Sequence, residues 1–79
     1  MNSAAQTLVR WTFERHRAAI TCQVDARGCS AFDVAVVPHA DVSNSFVETV
    51  KSPARALQLH AEIAKQLVEN GWSLVQRTA

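Results

Sequence analysis

The chain is short, apolar enough to fold, and almost neutral. Its 79 residues are 48% hydrophobic and 19% charged, with only 2 Gly and 2 Pro, which excludes disordered, collagen-like and low-complexity classes. We therefore expect residues 1–79 to form one small domain, with residues 1–7 as a flexible N-terminus. The net charge of +1 provides no overall attraction to nucleic acid or to acidic membranes.

The cysteine spacing and the length of the apolar segments indicate the cellular compartment of the protein. Six residues separate Cys22 from Cys29, a spacing that fits neither a redox C-x-x-C motif nor the common zinc knuckles. We therefore expect two reduced thiols. No apolar run has the length of a signal peptide or of a membrane span. The sequence predicts a cytoplasmic protein with no membrane partner, no metal and no cofactor.

The first half of the chain alternates apolar and polar residues as half-buried strands do. Residues 8–13 and 19–25 each keep this period of two. Antiparallel pairing of their apolar positions predicts the pairs Val9 with Val24, Trp11 with Cys22 and Phe13 with Ile20. The connecting turn is predicted either as two residues, 16–17, or as a four-residue loop, 15–18.

Two more strands are predicted before the helix. A turn over residues 25–30 leads into a third alternating strand, which Pro38 ends because it removes a ladder donor. Residues 45–51 favour a fourth strand, but Phe46 and Val50 share a face with Glu48, so its pairing stays open between a regular strand and a bulged one.

A single long helix is predicted over residues 53–70. Ser52 is a suitable N-cap and Pro53 a suitable first helical residue, while Gly71 followed by Trp72 matches a Schellman end. Residues 73–77 favour a short last strand. The predicted fold is α+β: a four-stranded antiparallel meander followed by one helix on one face, with a possible short C-terminal strand.

The parity of the strands also assigns the two faces of the sheet. We expect Trp11, Phe13 and Phe32 under the helix, and Trp11, Phe32, Leu57 and Leu67 mostly buried. The opposite face is expected to include Leu8, Thr12, Thr21, Ala35, Val37, Val47 and Thr49. Such a face is too apolar for full solvation, and no second helix covers it. We therefore expect a homodimer, or an unidentified protein partner, on this face or on a neighbouring strand edge.

Four arginines make the first half of the chain basic: Arg10, Arg15, Arg17 and Arg27. Such a cluster can contact phosphates, so nucleic-acid binding by this hairpin is an alternative hypothesis. Open-sheet binders also stack bases on exposed aromatic side chains, which the parity does not place on the open face. A solvated rim of the hairpin is the simpler interpretation.

His60 lies at the centre of the apolar face of the predicted helix, where burial of an imidazole requires a hydrogen-bond partner. A core histidine bonded to a backbone carbonyl is the simpler interpretation. A pocket or small enzyme built on His60 and Cys22 is a second alternative. His39 and Asp41 offer only two metal ligands and are expected in a polar loop. Without a catalytic motif, the sequence favours a non-enzymatic interaction module.

Overall fold

The computed structural model describes residues 6–28 and 30–78 and confirms the α+β fold, with five strands instead of four. The elements are β1 (Gln6–Arg15), β2 (Ala18–Arg27), β3 (Ala31–Pro38), a 3-10 turn (Val42–Asn44), β4 (Phe46–Val50), α1 (Pro53–Glu69) and β5 (Ser73–Thr78). They form one antiparallel sheet in the order β4-β3-β2-β1-β5, with α1 on one face. In the described part of the chain, no helix is long and apolar enough to cross a membrane.

The β1–β2 hairpin has the predicted register. Val9 pairs with Val24, Trp11 with Cys22, Phe13 with Ile20, and Arg15 with Ala18, which leaves a two-residue turn. His16 in this turn has φ 58, a left-handed conformation that is usually taken by Gly or Asn. At its other end, β1 begins at Gln6 and so includes the last two residues of the segment that was expected to be flexible.

A register shift near the start of β1 changes the position of one predicted side chain. The shift lies between Thr7 and Val9, and Leu8 packs against the core on the helix side. The prediction that Leu8 lies on the open face is therefore wrong, because the irregularity breaks the alternation of faces. On the other edge, β4 pairs with β3 without any such shift, so the bulge considered for β4 is not present.

The helix begins and ends as predicted, within one residue. The Ser52 side chain accepts a hydrogen bond from the Arg55 backbone N–H at 3.2 Å. At the C-terminus Gly71 has φ 93, and the Trp72 N–H donates to the Leu67 carbonyl at 3.0 Å. This closes a Schellman motif and directs the chain into β5, which pairs with β1.

The helix buries a narrow stripe of three side chains. Ala56, His60 and Ala64 are its buried residues, and α1 packs mainly on β2 and β3. Phe32 is buried as predicted, at 7% exposure, whereas Trp11 and Leu67 are only half-buried. The prediction of a buried Leu57 is wrong, since its side chain is 48% exposed. Leu57 lies on a flank of α1 that no strand covers.

Candidate docking groove between the helix and the last strand

One helix cannot cover a sheet of five strands. A helix is about 10 Å across and strands are about 4.8 Å apart, so a helix covers roughly two of them. With α1 on β2 and β3, the helix-side surface of β5 lies open, whereas on β1 the side chains of Val9 and Phe13 are buried and Trp11 is half-buried. This opening is a groove of about 520 Å³ lined by Trp11, Phe13, Ala61, Ala64, Lys65, Val68, Glu69 and Leu74. We call it the α1–β5 groove.

The walls of the α1–β5 groove are apolar and largely exposed. Val68 on α1 is 55% exposed, and Leu74, opposite Phe13 on the neighbouring strand, is 39% exposed. Leu57 extends the same flank of α1 toward its N-terminus. From Leu57 to Val68 the helix rises about 16 Å at 1.5 Å per residue. The exposed apolar surface therefore follows about three helical turns.

Charged side chains border the groove on both sides. Lys65 and Glu69 lie on the α1 wall. On the β5 side, the Arg77 guanidinium lies over the Trp11 ring, 5.5 Å from the ring centroid. Cations thus flank the apolar floor on both walls, and Glu69 is the one carboxylate among the lining residues.

His60 and Cys22 lie next to each other, but they contact through the backbone. The His60 ring nitrogen Nε2 is 3.1 Å from the Cys22 carbonyl oxygen, and the Trp11 ring packs edge-on at 5.0 Å. Burial lowers the pKa of His60 and raises the pKa of the Cys22 thiol to about 12. A protonated thiol is a poor nucleophile, so this geometry favours a structural histidine. Cys29 lies outside the described residues.

The four arginines do not form one patch. The Arg15 guanidinium donates to the Asn70 carbonyl at 2.8 Å and lies 4.7 Å from the Trp72 ring centroid. Arg27 forms an ion pair with Asp33 at 2.7 Å. The length of β2 places Arg17 and Arg27 roughly 30 Å apart at 3.3 Å per residue. Nucleic-acid binding by this hairpin stays a prediction.

The open face of the sheet is more polar than its sequence pattern indicates. Its side-chain hydrogen bonds run from Thr7 and Gln23 to Asp25, from Arg27 and Thr49 to Asp33, and between Thr21 and His39. These partners hold the pKa of Asp33 below its ordinary value, mainly through the hydrogen bond from Arg27. Asp41 accepts a bond from Ser43 instead of meeting His39 at a shared metal position. The described residues contain no group of three or more metal-ligating side chains.

The sequence analysis missed the α1–β5 groove. The signal was present in the breadth of the apolar arc of the helix, where Leu57, Ala61 and Val68 extend the buried stripe sideways. An apolar stripe that is wider than the surface in contact with the sheet indicates that the helix has a second apolar surface to pack against.

Comparisons of this chain with models of known protein families, with curated proteins and with solved structures find no match.

Proposed function

We propose that this protein is a non-catalytic protein-interaction module that binds an amphipathic helix of another chain in the α1–β5 groove. The observation that carries the proposal is the apolar groove between α1 and β5, where the exposed side chains of Val68 and Leu74 flank the half-buried Trp11. Binding there buries Val68 and Leu74 and completes the second layer of the fold. We place the module in the cytoplasm, since the buried free thiol of Cys22 suits a reducing compartment.

The charges at the groove specify the partner. Lys65 and Arg77 stand on opposite walls, so carboxylates on both sides of the apolar stripe of a partner helix would pair with them. The length of the exposed flank suits a partner helix of about three turns.

A second copy of this chain does not supply such a helix. Its α1 already buries Ala56, His60 and Ala64 on its own sheet, and the surface turned away from the sheet carries Arg55 and Glu62. Burying these charges against Trp11 and Leu74 of another copy would cost their hydration. The occupant is therefore a different chain.

A peptide titration tests the proposal. The probe is a fluorescent 12-residue helical peptide of about three turns, with Leu at helical spacing and Glu on both flanks. We expect saturable binding that Val68→Glu weakens by about tenfold or more, because the new carboxylate enters the groove. The matched control is Val47→Glu, since Val47 is 57% exposed on the other face and Val68 is 55% exposed.

Three outcomes test separately the binding site, the charge of the partner and its helical form. Equal loss in the Val68→Glu and Val47→Glu proteins would contradict binding in the groove. No binding by the acidic peptide, together with binding by a version that carries Lys in place of Glu, would contradict the charge assignment only. No binding by either peptide would contradict a helix as the occupant.

Self-association is a second candidate function. Ala35, Val37 and Val47 lie together on the open face beside the edge strand β4, where Val47 is 57% exposed. We propose that the chain forms a homodimer through this corner.

Sedimentation equilibrium at high micromolar concentration tests the dimer. We expect a mass of two chains for the natural protein and a shift toward 8.7 kDa in Val37→Asp, whose charge would be desolvated in the interface. A monomer of the natural protein under these conditions would contradict self-association and leave the groove proposal intact.

A further inference from the structure

A polar patch lies on the open face of the sheet, on the side opposite the α1–β5 groove. The strand register places its residues in two neighbouring rows, Thr21–Thr12–Gln76 and Gln23–Arg10–Thr78, across β2, β1 and β5. Together with Val37 and His39 these side chains line a depression of about 330 Å³. We call it the Arg10 patch.

The lining of the Arg10 patch is rich in hydrogen-bond donors. It contains a guanidinium, an imidazole, two amides and three hydroxyl groups, and no carboxylate. The Thr21 hydroxyl oxygen lies 2.6 Å from His39 Nε2 and 3.4 Å from the Thr12 hydroxyl oxygen, which orders the floor of the depression. An arginine beside neutral donors is the arrangement that binds the oxygens of phosphates and carboxylates.

The neighbouring carboxylates on this face have other partners. Asp25 accepts hydrogen bonds from Thr7 at 2.7 Å and from Gln23 at 2.8 Å. Asp33 is held by Arg27. Glu14 lies two positions beyond Thr12 on β1 and does not line the depression. Within the described ranges, Arg10 has no ion-pair partner, so its charge is available to a ligand.

We propose that the Arg10 patch binds a small molecule through a phosphate or carboxylate group. The patch offers one arginine, because Arg15 bonds to the Asn70 carbonyl and Arg27 bonds to Asp33. Polymeric nucleic acid is bound through several phosphate contacts at once, which a single cation does not provide. The volume of the depression exceeds that of one oxyanion and leaves room for the body of a small ligand.

Amide NMR titrations with sodium phosphate and, separately, sodium acetate test this inference, with sodium chloride keeping the ionic strength constant. We expect saturable shifts confined to the rows of the Arg10 patch. Arg10→Gln should raise the dissociation constant about tenfold. Arg17→Gln, which removes an exposed arginine in the hairpin turn, should change it by less than about twofold. The ion with the lower dissociation constant shows whether the patch prefers a phosphate or a carboxylate group.

Other results would overturn the inference. Shifts that stay linear to tens of millimolar, or that are equal in the natural protein and in Arg10→Gln, would show that no site exists. Binding of a single-stranded oligonucleotide with a steep salt dependence, in the absence of phosphate or acetate binding, would assign the face to nucleic acid. Because the patch and the groove lie on opposite faces, either result leaves the groove proposal standing.

Discussion

His60 shows how one residue combines packing with polarity. Its imidazole takes the position of a core residue between two small helix residues, and its hydrogen bond to the Cys22 carbonyl joins α1 to β2. The sequence predicted this arrangement because a histidine on an apolar face needs a partner. The identity of that partner depended on the crossing of helix and strand, which no periodicity specifies.

The buried state of His60 makes the folding stability depend on pH. Desolvation lowers the pKa of His60 in the folded protein below its ordinary value of 6.5. The unfolded chain therefore binds a proton below that pH that the folded chain does not bind, and stability falls as the pH decreases through 6.5. The lowered pKa of Asp33 affects stability only at lower pH. The stability that this carboxylate contributes is lost as the pH falls below its ordinary pKa of 3.8.

We expect the natural protein to lose unfolding free energy as the pH falls from 7.5 to 5, because the unfolded chain takes up a proton at His60 that the folded chain does not. In His60→Gln the amide can still donate to the Cys22 carbonyl, but it does not titrate, so this part of the loss should disappear. Urea unfolding at several pH values measures it. An equal slope in both proteins would contradict the assignment of the loss to His60.

At the scale of elements, the Schellman end of α1 connects the helix to β5. Gly71 has φ 93, and a Cβ there would meet only the Arg15 side chain, at 3.6 Å, so a substitution suffers from backbone strain and not from a clash. We expect Gly71→Ala to lower the unfolding free energy by about 1 kcal/mol. Gly71→Asn should lose less, since Asn tolerates this conformation. Thermal unfolding compares them, and equal stability of all three proteins would contradict the role of the left-handed residue.

The sequence predicted most elements because their signals are local. Alternation located the first three strands, and Ser52, Pro53 and Gly71 marked the ends of α1. The position of β5 beside β1 depends on where the helix delivers the chain, which is a property of the whole fold. The wrong prediction for Leu57 has the same cause. Its burial was predicted from a helical wheel, which shows the apolar side of the helix but not how far the sheet extends beneath it.

At the scale of the molecule, the fold has more sheet than one helix can cover. The consequences on the helix side are the α1–β5 groove and its exposed Val68 and Leu74. On the open face, Asp25, Asp33 and their hydrogen-bond partners interrupt the apolar surface, so the case for an apolar partner there is weaker than the sequence indicated. The sequence analysis predicted an uncovered surface on the open face and did not predict the groove on the helix side.

The two tryptophans allow the groove to be observed directly. Trp11 lies on its floor, whereas Trp72 packs at the end of α1, outside the groove lining. Fluorine NMR of the protein labelled with 5-fluorotryptophan gives one resonance for each, assigned with Trp72→Phe. Addition of the acidic amphipathic peptide should shift the Trp11 resonance in a saturable manner and leave that of Trp72 in place. A Trp11 resonance that does not move while the peptide binds would contradict the groove as the docking site.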